Sequence, residues 1–208
     1  MPKSTMKSQN GNSCGAHCAA LAISELTGNA IFTDEAIVEG ILWNSIIFRA
    51  SHDPMTILMA NNKYTDPRRV VTYINNKSLP IKAELILDTV SQAAANNFLN
   101  QTDQQKVDAC LNVLAGEYKT ATLNIDEGKY YSCTYYHFHS RIPSKNTFAL
   151  FHNILVTKHK GAEYYYNSNE NSPAWIPVAA GGWKRLDGQN NRTNSYVFSG
   201  LAVVVAPS

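Results

Sequence analysis

The chain has 208 residues, of which 44% are hydrophobic and 16% charged, and its formal net charge is +2. That length suits one domain with a core of its own, and the composition is that of an ordinary globular protein. So small a charge, with no Lys/Arg run, argues against a nucleic-acid surface, and no apolar stretch reaches the roughly 18 residues of a membrane helix. Met1 to Lys7 carries charge with no apolar segment after it, so no Sec signal peptide is expected. The chain is then either cytoplasmic or exported by a dedicated secretion system. The four cysteines, Cys14, Cys18, Cys110 and Cys133, do not form a dense disulfide framework, and reduced thiols are expected.

In chain order, residues 1–12 are polar and expected to be loose until Gln9, and a helix is predicted from Cys14, with Ser13 as N-cap and Gly28 as C-cap. Its face is built from Ala16, Ala19, Ala20, Leu21, Ile23 and Leu26. Thr33-Asp34 caps a second helical pattern through Ile37, Val38, Ile41 and Leu42, and a third helix spans Pro54 to Asn61. Thr65-Asp66-Pro67 starts another, because a capping side chain stands before proline at the first helical position. Leu79 to Leu87 reads as a strand. Helices are predicted near Val90 to Leu99 and Asp103 to Leu114, the second capped by Thr102 and ended by Gly116.

After Gly116 the pattern becomes β-branched and aromatic. Strands are predicted at Thr120 to Ile125, Tyr130 to His139, Phe148 to Thr157, Ala162 to Asn167, Ala174 to Val178 and Tyr196 to Val205, with turns at Lys160-Gly161 and Asp187-Gly188. Helices first and strands last predict an α+β fold on a mostly antiparallel sheet. Residues 1–116 form its mainly helical half and 117–208 its sheet half, the two making one catalytic unit with a cleft between them.

The chemistry lies in Gln9-Asn-Gly-Asn-Ser-Cys14-Gly-Ala-His-Cys18. A thiol becomes a competent nucleophile when its thiolate is stabilised, and the first turn of a helix supplies part of that stabilisation. Gly15 allows close approach of a substrate backbone, and the Gln9 amide suits an oxyanion hole shared with the Cys14 N–H. Far downstream, His152 interrupts the apolar run Phe148-Ala-Leu-Phe-His152-Asn-Ile-Leu-Val and needs a polar partner there. A hairpin through Lys160-Gly161 brings Asn167 back beside it, where the side-chain carbonyl can fix the imidazole tautomer.

With these residues in view, the chain resembles the papain-like cysteine peptidase clan, most closely the bacteriocin-processing peptidases and bacterial effector proteases and deamidases. That clan runs Gln, Cys, His, then Asp or Asn, and this sequence has Gln9, Cys14, His152 and Asn167 in that order. Thr65 to Leu79 resembles the helix those families place after the one bearing the cysteine. The match covers the Cys14 segment, that helix and the His152 region, while 88–147 has no counterpart. Where the bacteriocin-processing group has Asp-Pro, this chain has Asn167-Ser168, which leaves the third member of the triad open. The resemblance implies a papain-like fold and a thiol-dependent hydrolase acting on protein or peptide substrates without metal or cofactor. It implies either a protease or a glutamine deamidase, working as a secreted bacterial effector or toxin; a binding module that kept the fold is the rival of another class.

Other constellations compete. Cys14, His17 and Cys18 with Cys133, His137 and His139 would supply zinc ligands, but their spacing matches no standard zinc motif. His137 and His139 share a strand face, and either fits the role of base in place of His152. Trp175 and Trp183 fit either a substrate groove or the core.

Overall fold

The computed structural model describes Pro2, Met6, Gln9 and residues 12–49, 54–187 and 193–208; Gly188 of the expected Asp187-Gly188 turn lies outside them. Helix α1 spans Cys14–Thr27. Its Ala16, Ala19, Ala20 and Ala22 are fully buried, so small side chains let it run through the interior with neighbours close on every side. Gly28 ends it in the left-handed region at φ 70°, donating its N–H to Ser24 O at 2.8 Å. The expected Ser13 cap is not made: the hydroxyl donates to Glu39 Oε1 at 2.8 Å, a charged and therefore stronger partner than the helix end.

The second helical pattern also differs from expectation. A 3₁₀ turn at Ala30–Thr33 precedes a π-helix at Ala36–Leu42, which runs into α2 at Trp43–Ile46. The wider turn buries Val38 and Leu42 while turning Glu39 toward Ser13 and His17. Helix α3 (Pro54–Asn61) and helix α4 (Pro67–Asn75) follow. Asp66 caps α4 by accepting from Arg68 N at 3.0 Å, with Pro67 in its first turn. Helix α5 (Thr89–Asn96) is capped by Asp88, and α6 (Gln101–Val113) by Asn100 rather than Thr102. Asn100 Oδ1 reaches the Asp103 N–H at 2.8 Å, so the helix gains residues at its start.

The strands are β1 (Ile81–Leu87), β2 (Lys119–Thr120), β3 (Tyr130–Phe138), β4 (Phe148–His159), β5 (Ala162–Tyr166), β6 (Trp175–Val178), β7 (Arg185–Asp187) and β8 (Ser195–Pro207). They form one eight-stranded sheet in the order β2-β1-β8-β3-β4-β5-β6, with β7 also on β8. Every pairing is antiparallel except β1 with β2. The fold is therefore α+β, with its helices toward the N-terminus and a mostly antiparallel sheet. The helical half lends the sheet its β1 strand, which lies between β2 and β8.

The strand expected at Thr120 to Ile125 stops at Thr120. Leu123 and Ile125 are buried in alternation, but the Leu123 N–H is taken by Asp88 Oδ2 at 3.1 Å instead of a ladder partner. Ala121 N still donates to Leu87 O at 3.2 Å, but beyond it the alternating apolar residues meet a side-chain acceptor in place of a ladder.

The described buried residues gather in three clusters about the sheet, the smallest made of Ala95, Leu99, Val107, Tyr136, Phe138 and Val197. Helix α1 and residues of α4 pack with Leu85, Leu155, Val203 and Val205 on one face. On the other, Trp183 packs with Tyr135, Ile154, Val156, Tyr196 and Phe198. Trp175 and Trp183 are 5% and 2% exposed, which makes both of them core residues. Among the described residues no helix is long and apolar enough to cross a membrane.

Candidate active site

Helix α1 delivers Cys14 to the edge of β4, on the stretch that β5 has left unpaired. The β4–β5 ladder runs from His159–Ala162 to Leu155–Tyr166, so the Asn153 main chain faces away from β3 without a strand beside it. Cys14 Sγ fills that place, accepting from Asn153 N at 3.4 Å and from Asn153 Nδ2 at 3.6 Å. The thiol itself points to Asn12 O at 4.0 Å. Thr134 Oγ1 donates to Asn153 Oδ1 at 3.1 Å, which turns the amide NH2 toward the sulfur. The sulfur thus abuts the peptide group that joins His152 to Asn153.

His152 is the preceding residue on the strand, so its side chain projects to the opposite face. There it lies against Tyr196, at 5.3 Å between ring centroids, and near His137 at 6.2 Å. Its Nε2 meets Asn167 Oδ1 at 2.7 Å. Hairpin geometry produces this contact. Lys160 and Gly161 both have positive φ, at 51° and 78°, as a two-residue turn between twisted strands requires. Tyr166 then pairs with Leu155, and Asn167 falls diagonally across from His152 on the same face.

Asn167 is fixed in turn. Its Nδ2 donates to Glu170 Oε1 at 3.2 Å, and its Oδ1 also accepts from Asn169 N at 3.0 Å. With that oxygen accepting, His152 carries its proton on Nε2, which leaves Nδ1 as the basic nitrogen. Glu170 is 4% exposed, so the chain His152–Asn167–Glu170 is buried throughout.

Gln9 is held at the same end of the site. Its N–H donates to Ser168 O at 2.9 Å and its Oε1 accepts from Ser168 Oγ at 2.7 Å. The structure therefore brings Gln9, His152 and Asn167 together through the Asn167-Ser168 turn. It brings Cys14 to the same strand as His152. Among the described residues no hydrogen bond joins the Cys14 sulfur to the imidazole; Asn153 donates to the sulfur and Asn12 O receives the thiol.

The electrostatics follow from burial. Burial raises the Cys14 thiol above its ordinary value, and the Asn153 donors oppose this only in part. Burial pulls the His152 imidazole down to about 4, against the Asn167 hydrogen bond and the Glu170 carboxylate. Both groups are neutral near pH 7, so the resting site is a thiol beside a neutral imidazole and not an ion pair.

The remaining candidates take other places. His17 is buried and meets Glu39 Oε1 at 2.6 Å, which ties the first turn of α1 to the π-helix. His137 stacks on Tyr196 with centroids 4.9 Å apart, and its ring lies 5.0 Å from that of His139. Cys18 and Cys133 are buried, their thiols pushed well up by desolvation, and no disulfide joins the four cysteines. Sequence reasoning missed Asn153, Thr134 and Glu170. The offset of one residue from His152 hid the first, and nothing local distinguished the other two.

Where α1 was expected to leave space for a substrate backbone, Gly15 is instead filled in by the protein. A Cβ there would strike the Cβ, Oγ1 and Cγ2 of Thr65. Beyond Thr65 a narrow pocket opens from Cys14, walled by Phe48, Met59, Tyr64, Leu111 and Phe151, with Tyr136, Asn153 and Leu201 on its sheet side. None of its described lining residues is charged. No protein-family model matches this chain, and neither the curated proteins nor the solved structures contain a match to it.

Proposed function

We propose that the chain is a papain-like cysteine hydrolase that cleaves an amide or peptide bond, with Cys14 as nucleophile, His152 as general base, Asn167 orienting the imidazole and Gln9 contributing to the oxyanion hole. The observation that carries this reading is the His152 Nε2 to Asn167 Oδ1 hydrogen bond of 2.7 Å, one peptide group from the Cys14 sulfur. It leaves Nδ1 to take the thiol proton. In the first step the Cys14 Sγ–carbon bond forms as the proton passes to His152; the carbon–nitrogen bond then breaks and the amine leaves with that proton. Water, deprotonated by the same imidazole, hydrolyses the thioester, releases the acid and returns the thiol. Gln9 and the Cys14 N–H stabilise the oxyanion of both tetrahedral intermediates.

The pocket that opens from Cys14 supports an apolar group beside the scissile carbonyl, because its described lining has no charge to pair with an ionic side chain. Action as an exported bacterial effector or toxin rests on the sequence resemblance. A second reading, a binding module that has kept the fold, is favoured by the neutral resting thiol and the lack of a sulfur–imidazole hydrogen bond.

Two measurements separate these readings. Although burial raises the Cys14 thiol, a thiol-reactive peptide electrophile applied near pH 6 is expected to modify it faster than a free thiol in solution, because His152 takes the proton as the sulfur attacks; reaction at the free-thiol rate or below favours the binding module. Cys14→Ala is expected to abolish peptide turnover while preserving the folded spectrum and melting transition. Full turnover by that variant would remove Cys14 from the mechanism.

A further inference from the structure

We propose that Asn153 is a catalytic residue, whose main-chain and side-chain N–H groups together stabilise the Cys14 thiolate as it forms when the thiol proton leaves. This rests on the reading of Cys14 as the nucleophile. A buried sulfur resists ionisation, so a reactive thiolate needs donors aimed at it. Asn153 supplies two, at 3.4 Å and 3.6 Å from Sγ. The main-chain donor is available because β5 diverges before it reaches this part of β4. The side-chain donor is directional because Thr134 Oγ1 binds the amide oxygen at 3.1 Å and keeps the NH2 toward the sulfur. A neutral amide suits this place: it stabilises the anion without adding a charge of its own.

The Gly15 and Cys14 main-chain N–H groups at the start of α1 act in the same sense but more weakly than Asn153, and no charged side chain is among the described residues lining the pocket. The titratable side chains that face the sulfur or line the same pocket are Cys18 on its own helix, Tyr64 before α4, Cys110 of α6 and Tyr136 of β3, with His152 of β4 next along the strand from Asn153 on its other face. The Cys18 thiol and the Tyr64 phenol are pushed up, Tyr64 to about 12, and His152 is pulled down to about 4, so none of these three is charged near neutral pH. The same pair of donors also serves the second half of the reaction. When the acyl-enzyme breaks down, sulfur leaves as a thiolate and returns to the Asn153 N–H groups.

The test is the pH profile of Cys14 alkylation by iodoacetamide in the full chain, located by mass spectrometry. A Cys110→Ser background keeps the half-buried Cys110 out of the readout. Asn153→Ala is expected to move the midpoint up by roughly one pH unit and to slow capture near neutral pH roughly tenfold. Asn153→Asp is expected to move it further, since a carboxylate then faces the thiolate. A merely structural loosening would have the opposite sign, because it would expose the sulfur and speed its capture. Midpoints equal to that of the parent in both variants overturn the proposal. If either variant lacks a cooperative melt, Thr134→Val, which frees the amide to turn, decides by the same criterion: an upward shift supports the proposal and an unchanged midpoint overturns it. A parent protein with no peptide turnover would sink the enzyme reading, whereas these shifts are read on the sulfur itself and report on Asn153 alone.

Discussion

Asn167 is gripped from both ends, by His152 on its oxygen and by Glu170 on its nitrogen. An amide has two nearly identical ends, so its orientation must be imposed, and a carboxylate that only accepts imposes it. Glu170 therefore acts on the imidazole through Asn167. Glu170→Ala is expected to lower kcat about tenfold with KM nearly unchanged. Glu170→Gln, whose carbonyl still accepts from Nδ2, should recover most of the loss, as steady-state kinetics on one peptide substrate will measure. Equal losses in both variants would mean that the charge acts directly. Asn153 was not legible in the sequence because a strand alternates its faces: the interrupting histidine marks one face, and the neighbour that meets the thiol lies on the other.

Helix α1 and the segment before α4 are locked at a single point. Thr65 packs against the bare Cα of Gly15, and a methyl group there would overlap three Thr65 atoms at once. Gly15→Ala is expected to cost about 1–3 kcal/mol in urea unfolding, the usual range for overpacking. Thr65→Gly in the same chain should recover part of it, giving a non-additive double-mutant cycle. Simple additivity would show that the two elements slide apart instead. Much at this scale was legible from local chemistry: Asp66-Pro67 starts α4, Gly28 ends α1 and Lys160-Gly161 turns β4 into β5. Errors arose where a distant group outbid the local one. Glu39 took the Ser13 hydroxyl, and Asp88 took the Leu123 N–H that a strand ladder would have used.

At the scale of the whole molecule, the buried imidazole links stability to pH. The folded-state value of His152 is about 4 against an ordinary 6.5, so between these values the unfolded chain binds a proton that the folded chain refuses. The contribution is complete above about 6.5 and is lost as the pH falls through about 4; over that window it amounts to roughly 3 kcal/mol. Melting temperatures of the parent and His152→Gln are expected to diverge in that range, with the parent falling more steeply toward acid. Parallel curves would mean that the ring is solvated. The sequence by itself determined the α+β order, most of the element boundaries and the His152–Asn167 pairing, because caps, turns and a two-residue hairpin act over a few bonds. Hairpin register carries that information fifteen residues along the chain without needing anything else. Only the tertiary structure decided which donors face the sulfur. The Cys14–Asn153 contact joins residues 139 apart, and it exists because α1 is buried against the stretch of β4 that pairs with β3 but not with β5. No local propensity encodes that meeting; it follows from how a small-residue helix and an unevenly paired sheet pack together.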